Sequence, residues 1–277
     1  MVSAAKKITD ISKTLASEAG VFDPAFEARE IVREYAGDSA VFGGMLDEKQ
    51  EKLIDAAVSR RLTGEPLQYI FGKWEFYGLP FFVGEGVLIP RPETELLVDI
   101  AVKRLGKGSA VLDLCSGTGC IPISIALKTG AKCTAVELYD AAFGYLERNI
   151  ALNGADVTAV KADALDGMLF GDAQFDAIFS NPPYLTGAEM DSLMREVAHE
   201  PKAALYGGED GLDFYRALIP AWVGRLRTNG FMAVETGETQ GNAVSEIMRA
   251  AGLRPEVIKD CAGLDRVVIG ERSPDYC

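Results

Sequence analysis

Apolar residues recur at helical spacing through the first 75 or so residues of the chain. One stripe contains Ile8, Ile11 and Leu15, a second follows Pro24, and a third covers residues 53–62. Pro suits the first turn of a helix, and each stripe is the face that a helix buries. The pattern therefore predicts a small bundle of helices.

The pattern changes after residue 73. Residues 74–90 are aromatic and β-branched with Gly turns, which predicts a hairpin or an extended connector. Helical and strand patterns then alternate. Helices are predicted over 93–105, 119–129, 140–153, 212–227 and 240–251, and strands over 110–114, 133–138, 157–161, 175–181, 231–236, 255–260 and 265–271. This alternation predicts an α/β fold with a mainly parallel sheet, helices on both faces and an antiparallel hairpin at one edge. We expect three parts: a helical domain at 1–73, a hairpin or linker at 74–90 and an α/β domain at 91–277.

Composition narrows the class of protein. The chain has 277 residues, of which 48% are hydrophobic and 25% charged, values typical of a globular protein with a sizeable core. Asp and Glu outnumber Lys and Arg by 41 to 28, which gives a net charge of −13. Nucleic-acid binders usually carry a basic surface that neutralises phosphates. The charge therefore argues against a nucleic-acid substrate.

Few residues are available for metal ligation. The five cysteines show no paired spacing and His199 is the single histidine, so we expect no metal site and reduced thiols. No apolar run reaches the 18 or so residues of a membrane span, and the first residues contain no signal-peptide pattern. These features predict a cytoplasmic protein without membrane association, and we expect a monomer.

A loop of small residues follows the strand predicted at 110–114. Ser116, Gly117, Thr118 and Gly119 open a helix, where free backbone N–H groups and small side chains let a ligand approach closely. The loop lacks the G-x-G-x-x-G pattern of dinucleotide-binding proteins. Asp113, at the end of the strand, would repel a pyrophosphate and attract a cationic amino-acid group.

Acidic residues end three consecutive predicted strands. Asp113 ends the first, Glu137 the second, where it is placed to bind ribose hydroxyls, and Asp163 the third, where it can accept from an adenine amine. Together they describe a pocket for a nucleoside that carries a positive charge. S-adenosyl-L-methionine fits this description better than NAD.

The tetrapeptide Asn181-Pro182-Pro183-Tyr184 follows the next strand, at the carboxyl edge where α/β sheets bind ligands. Two prolines make the turn rigid, Asn supplies a side-chain carbonyl and Tyr an aromatic face. Such a group can hold a planar –NH2 by two acceptors and orient its nitrogen towards a methyl donor. Catalysis of this kind rests on orientation and electrostatics and requires no strong base, so His199 is not needed.

These segments together resemble the HemK/PrmC family, the glutamine-N5 methyltransferases that modify class-1 peptide chain release factors. The resemblance covers nearly the whole chain, and the tetrapeptide alone is shared with DNA adenine and RNA guanine methyltransferases. The matching segments are RRLTGEPLQYIFGKWEFYGLPFFV (60–83), LIPRPETELLVD (88–99), DLCSGTGC (113–120), SNPPY (180–184), HEPKAALYGGEDGLDFYR (199–216) and DCAGLDRVVIG (260–270).

The resemblance implies a fold, a cofactor and a substrate. The fold would be the Rossmann-like class I S-adenosylmethionine-dependent methyltransferase fold, with a seven-stranded sheet and an N-terminal helical domain that helps to grip the release factor. Cys115 to Gly119, Glu137, Ala164 and Asn181 would contact the cofactor. Asn181 to Tyr184 would hold the glutamine of the Gly-Gly-Gln motif of the release factor.

Two positions depart from the family pattern: Cys115 stands where Gly is usual, and Glu137 where Asp is common. We expect a tight loop to tolerate Cys115 if its φ is negative. Ala164, where the family can carry an aromatic residue, would stack less on adenine.

Three alternatives remain open from the sequence. They are a ribosomal-protein glutamine methyltransferase, a nucleic-acid amine methyltransferase and a non-catalytic adenosylmethionine-binding protein. The roles of Arg91, Glu93, His199 and residues 207–211 also remain open.

Overall fold

The structure, a computed structural model, describes residues 2–17 and 21–273. The chain divides into two compact units. The first contains Met1–Lys73 together with Leu193–His199, and the second contains Trp74–Ser192 and Glu200–Cys277. Cys277 lies outside the described residues, and the other four cysteines are free thiols.

The first unit is a helical bundle with a short two-stranded sheet, as the apolar stripes predict. Its strands are β1 (Val2–Ser3) and β2 (Met45–Leu46), and its helices are α1 (Ala4–Leu15), α2 (Pro24–Ala36), α3 (Asp38–Val41), α4 (Glu48–Leu62) and α5 (Leu67–Phe71). The side chains of Leu15, Ile31 and Ile54 are fully buried in its core. Asp47 begins α4 with a capping box, since it and Gln50 each accept a backbone N–H of the other.

A buried ionic cluster joins residues 193–199 to the first unit. Arg61 is 3% exposed, and its guanidinium donates to both carboxylate oxygens of Glu27 at 2.7 and 3.0 Å. The same guanidinium also donates to Glu196. Removing one partner of such a buried pair would leave an uncompensated charge, so the cluster fixes where this segment lies within the unit.

The second unit begins with a hairpin. Strands β3 (Lys73–Phe76) and β4 (Leu79–Phe82) form a two-stranded sheet. Tyr77 and Gly78 connect them with φ values of 53° and 73°, the conformation of a type I′ turn.

A seven-stranded sheet forms the centre of the second unit. Its strands are β5 (Ala110–Leu114), β6 (Lys132–Glu137), β7 (Val157–Lys161), β8 (Phe175–Ser180), β9 (Leu226–Glu235), β10 (Arg254–Lys259) and β11 (Asp265–Glu271). Their spatial order is β10-β11-β9-β8-β5-β6-β7. Among β5 to β9, every pair of neighbouring strands is parallel, whereas β11 is antiparallel to both β9 and β10. The predicted α/β fold with an antiparallel edge hairpin is confirmed.

Helices cover both faces of this sheet. They are α6 (Glu95–Arg104), α7 (Cys120–Thr129), α8 (Asp140–Asn153), α10 (Asp213–Trp222) and α11 (Gly241–Ala250). The single-turn helix α9 (Gly187–Met190) has no buried residue. Two clusters of buried apolar side chains form the core of this unit. Side chains alternate across a strand, so Val111 of β5 belongs to the cluster that contains Leu97 of α6, and Leu112 to the cluster that contains Trp222 of α10. Within the described ranges, no helix combines the length and apolar character needed to cross a membrane.

One predicted helix is wrong at its end. The pattern predicts a helix over 212–227, whereas α10 stops at Trp222 and a single 3-10 turn, Val223–Arg225, follows. Leu226 is already paired with Phe175 in the sheet, so the chain must become extended there. The indole N–H of buried Trp222 donates to the Ala164 carbonyl at 2.7 Å, which fixes the end of the helix.

Candidate active site

A cavity of about 440 Å³ opens at the carboxyl ends of the parallel strands. Segments that follow β5, β6, β7 and β8 form one side of it, and residues before α6 and between β8 and α10 complete the wall. Its lining residues include Gly86, Val87, Leu88, Pro90, Arg91, Thr94, Cys115, Ser116, Gly117, Thr118, Cys120, Glu137, Tyr139, Asp163, Ala164, Leu165, Asn181, Pro183, Pro201, Ala204 and Phe214. This is the edge at which open α/β sheets bind ligands.

The loop after β5 turns through three left-handed residues. The φ values of Cys115, Gly117 and Gly119 are 61°, 54° and 80°. The negative φ on which the tolerance of a tight loop for Cys115 was conditional is therefore not present. The turn places the Ser116 N–H on the Val136 carbonyl at 3.0 Å and the Gly119 N–H on the Ser116 carbonyl at 2.8 Å, and this path requires the left-handed conformation. A non-glycine residue pays roughly 1–2 kcal/mol for that conformation.

Two of the three predicted acids line the cavity. The carboxylate of Glu137 accepts the Gly117 N–H at 2.8 Å and the Tyr139 N–H at 2.9 Å, so it holds the loop after β5 against the end of β6. Asp163 accepts the Leu165 N–H at 2.9 Å. Burial raises the pKa of the Cys115 thiol, and Glu137, Asp113 and Asp163 raise it further. The carboxyl groups of three acids therefore act on this thiol.

Asp113 lies apart from the cavity lining. It is fully buried, and among the described residues neither of its carboxylate oxygens has a hydrogen-bond partner. Burial raises the pKa of this carboxyl to about 8. Its charge acts on the thiols of Cys115 and Cys120, both of which line the cavity. A buried carboxyl without a partner favours either a proton or a nearby cation.

The tetrapeptide at 181–184 leaves β8, which is the neighbour of β5 in the sheet, so it begins beside the loop that follows β5. Asn181 and Pro183 line the cavity, whereas Pro182 is buried and Tyr184 packs against the apolar cluster that contains Leu114. Ser180 anchors the start of the turn by donating its hydroxyl to the Leu114 carbonyl at 2.8 Å. Gly119, like Asp113, Pro182 and Tyr184, lies outside the lining set.

A hydrogen-bonded chain runs behind Asn181. Its side-chain N–H donates to the Thr94 hydroxyl at 3.3 Å, and that hydroxyl donates to the Glu235 carboxylate at 2.6 Å. The other Glu235 oxygen accepts the Tyr184 hydroxyl at 3.4 Å. Burial raises the pKa of the Glu235 carboxyl to about 7.

The glycine-rich segment at 207–211 packs directly behind the tetrapeptide. A Cβ on Gly207 would lie 2.7 Å from both the Pro183 carbonyl oxygen and the Tyr184 Cα, and one on Gly211 would lie 2.2 Å from the Tyr184 carbonyl oxygen. The Gly207 N–H also donates to the Leu185 carbonyl at 2.8 Å. The backbone of this segment therefore packs against the turn and supports it.

Glu200 organises the wall around Arg91. This carboxylate is 4% exposed, accepts the Ile89 N–H at 2.9 Å and pairs with the Arg91 guanidinium. It thereby fixes the 89–91 segment that lines the cavity. His199, the next residue along the chain, belongs to the first unit.

Thr94 and Glu235 are site residues that were not predicted from the sequence. Glu235 carries the same signal as Glu137, an acid at the carboxyl end of an apolar parallel strand, and that rule applied to β9 would have found it. Thr94 lies in the quoted segment 88–99, but nothing in its local sequence indicates that it contacts a residue 141 positions later.

Comparison with known proteins gives matches to both units. The chain matches the family described as PrmC N-terminal domain over residues 8–72 and the family described as Methyltransferase small domain over residues 92–210. The release factor glutamine methyltransferase of Geobacter sulfurreducens is 37% identical over 273 residues, which cover 96% of this chain and 95% of the relative. That of Thermodesulfovibrio yellowstonii is 39% identical over 236 residues, covering 82% of this chain and 84% of the relative.

A solved structure supports the fold. The methyltransferase from Pyrococcus furiosus superposes with a TM-score of 0.55 and is 21% identical, covering 82% of this chain and all of that one. At this level of identity the likeness concerns the architecture alone.

Proposed function

The chain belongs to the release factor glutamine methyltransferases, and from that premise we propose that it methylates a release factor. The reaction would transfer a methyl group from S-adenosyl-L-methionine to the side-chain amide nitrogen, N5, of a glutamine. That glutamine would be the one in the Gly-Gly-Gln motif of class-1 peptide chain release factors.

The loop after β5 and the acids near it support the proposed cofactor. Cys115 to Thr118 line the cavity, with Gly119 at the start of α7 just outside it, and the Glu137 carboxylate would accept ribose hydroxyls in addition to its own loop contacts. Asp163 and Ala164 would contact the adenine. The unpartnered carboxyl of Asp113, below the loop, would favour the cationic amino-acid end of the cofactor.

The tetrapeptide fits the substrate amide. Asn181 directs its side-chain N–H towards Thr94, so its carbonyl oxygen lies on the other side of the group as an acceptor. That oxygen and a backbone carbonyl of the Pro182-Pro183 turn would accept the two amide N–H bonds, while Tyr184 supports the turn. Two acceptors favour a pyramidal amide nitrogen and orient its lone pair.

When bound, adenosylmethionine would supply an electrophilic methyl group for the amide nitrogen, with its sulfur as the leaving group, and the extra proton on the nitrogen would leave to water or a nearby acceptor. The chain's contribution is to position and desolvate the amide. None of the steps assigned to the protein needs a strong base.

One observation carries the proposal. The acid-lined loop and the oriented Asn181 amide lie on the wall of a single cavity. The two groups of residues that the proposed methyl transfer requires therefore line the same cavity.

Mass spectrometry tests it directly. A class-1 release factor incubated with the protein and adenosylmethionine should gain one methyl group, mapped to the Gly-Gly-Gln glutamine. Asn181→Ala should abolish turnover while cofactor binding persists, which separates an enzyme from a non-catalytic binding protein. The matched control is Asn242→Ala, because Asn242 is exposed on α11 and lies outside the cavity lining.

The alternatives predict other outcomes. Methylation of a ribosomal protein, with none on the release factor, would assign a different glutamine substrate. Methylation of DNA or RNA amines would contradict the acidic charge argument. The proposal further includes a cytoplasmic monomer that binds no nucleic acid and whose helical unit helps to bind the release factor.

A further inference from the structure

Glu235 is a buried carboxyl that the proposed reaction does not use directly. It is the last residue of β9, is 1% exposed and lies outside the cavity lining. Both of its oxygens are engaged, one by the Thr94 hydroxyl at 2.6 Å and the other by the Tyr184 hydroxyl at 3.4 Å. A carboxylate is costly to bury, so its retention there calls for a structural or functional reason.

The direction of the hydrogen bonds gives that reason. A hydroxyl has one proton to donate, and the Thr94 proton is committed to Glu235. The Thr94 oxygen can therefore only accept from Asn181, which must present its N–H on that side. The Asn181 carbonyl is consequently directed away from Thr94, as an acceptor.

We propose that Glu235 is a positioning residue for methyl transfer, which acts through Thr94 to set the orientation of the Asn181 amide and directly on Tyr184 to hold the turn. The inference rests on the proposed function, because it assigns the orientation that a substrate amide requires. Neither Asn181 nor Tyr184 could be held in this way by the local chain alone, since Thr94 and Glu235 come from distant segments.

The hydrogen bonds from Asn181 to Thr94 and from Thr94 to Glu235 form a relay, and the charge on Glu235 controls their direction. A carboxylate can only accept, whereas a protonated carboxyl can donate to Thr94, release the Thr94 proton towards Asn181 and favour a reversed amide. Burial raises the pKa of Glu235 to about 7; Thr94, Arg266 and Tyr184 lower it, and Glu93 raises it. The Tyr215 hydroxyl faces the same residue and donates to its backbone carbonyl at 2.8 Å. The relay is therefore complete above this pKa and is lost as the pH falls through it.

The test is steady-state methylation of a release factor, with the binding of adenosylmethionine measured separately by calorimetry. Glu235→Gln leaves one acceptor where two are needed. We expect kcat to fall roughly 10- to 100-fold, because the reacting groups are misplaced, with the cofactor Kd changed by less than about twofold. The acid limb of the kcat–pH profile near pH 7 should disappear in this variant.

Thr94 provides a second route that does not depend on the folding of the Glu235 variant. Thr94→Val keeps the shape but removes the hydroxyl, and should lower kcat to a similar extent. Thr94→Ser restores the hydroxyl and should recover kcat to within about threefold of the unmodified protein. Because both residues act in one relay, the double variant should be no slower than the worse single variant.

The matched control is Thr236→Val. Thr236 is the neighbour of Glu235, is fully buried, and its hydroxyl has no hydrogen-bond partner among the described residues. Its substitution should leave kcat and the pH profile unchanged.

The outcomes separate the two proposals. If the unmodified protein does not methylate the release factor, the proposed function fails. If it does, but folded Glu235→Gln or Thr94→Val retains its kcat and its acid limb, the positioning role is overturned. Multiplicative losses in the double variant would also overturn the relay, because independent sites give additive free energies.

Discussion

The cavity wall has two neighbouring parts, the loop after β5 (the loop end) and the tetrapeptide after β8 (the amide end). Each has a fully buried carboxyl nearby, and the two carboxyls differ in their hydrogen-bond partners. The carboxylate oxygens of Asp113, near the loop after β5, have no hydrogen-bond partner among the described residues, and the Ser116 hydroxyl donates to the Asp113 backbone carbonyl at 3.1 Å. Glu235, behind the tetrapeptide after β8, has a hydroxyl on each oxygen. Burial raises the pKa of both, to about 8 and about 7.

This difference separates two uses of a buried acid. Both carboxylate oxygens of Glu235 accept hydrogen bonds from hydroxyls of the protein, so this residue can orient other side chains without touching a ligand. The carboxylate oxygens of Asp113 lack partners in the protein, and although Ser116 lowers the pKa of this carboxyl, burial still raises it to about 8, so a cation in the cavity would stabilise the charged form further. One end is therefore organised before the ligand arrives, and the other is completed by the ligand.

Asp113→Asn should give the largest effect. The raised pKa means that ionised Asp113 destabilises the fold, by an amount that grows as the pH rises from about 4 to about 8 and is complete above that. The variant should therefore exceed the unmodified protein in free energy of unfolding at pH 9 by on the order of a few kcal/mol, with little difference at pH 4. Urea unfolding followed by tryptophan fluorescence measures this, since Trp74 and Trp222 both belong to the second unit.

The same variant should bind adenosylmethionine about tenfold more weakly, because the loop loses a countercharge for the cation. At pH 7 the unmodified protein should release a proton on binding, detectable as a dependence of the calorimetric enthalpy on the buffer, and the variant should not. Asp156→Asn, at an exposed site, is the control. Unchanged affinity and proton release in Asp113→Asn would mean that the ligand's cation does not stabilise this carboxyl.

The two ends also differ in how far the sequence predicts them. The loop end is local: Cys115 to Gly119 are contiguous, and Glu137 and Asp163 follow from strands whose pattern was clear. At the other end the tetrapeptide itself was predicted, but its supports were not. Thr94, Glu200 and Glu235 reach the site through tertiary packing across more than 80 residues, and no local pattern specifies such contacts.

The role of the glycine-rich segment at 207–211 could not be predicted from the sequence either. Its glycines predict a turn, and only the packed structure places Gly207 and Gly211 against the tetrapeptide. The left-handed φ of Cys115 was missed for a related reason. The loop path follows from its backbone bonds to β6, which override the preference of a cysteine.

Gly207→Ala should act at the amide end alone. Its Cβ would meet the Pro183 oxygen and the Tyr184 Cα at 2.7 Å, so the turn must shift by several tenths of an ångström. We expect kcat to fall roughly 10- to 50-fold while the cofactor Kd stays within about twofold.

Gly144→Ala is the control for this substitution. Gly144 lies within α8 with nothing near its Cβ position, and Ala there should be neutral or stabilising by about 1 kcal/mol. A loss of cofactor binding in Gly207→Ala equal to its loss of kcat would show that the two ends are not independent.

Substitutions at Cys115 should have the smallest effect, and they measure how much the left-handed backbone at this position lowers the free energy of unfolding. Cys115→Ala and Cys115→Gly both remove the thiol, but only Ala keeps a Cβ at a φ of 61°. The Gly variant should be more stable than the Ala variant by about 0.5–1 kcal/mol, which is the left-handed penalty less the entropy that Gly gains on unfolding. Urea unfolding of the pair gives the difference.

Asn229, at a φ of 66° on β9, supplies the same Ala and Gly comparison away from the cavity. Equal differences at both sites would show that backbone conformation alone sets the effect, whereas an Ala variant as stable as Gly at position 115 would mean that the loop relaxes to another path.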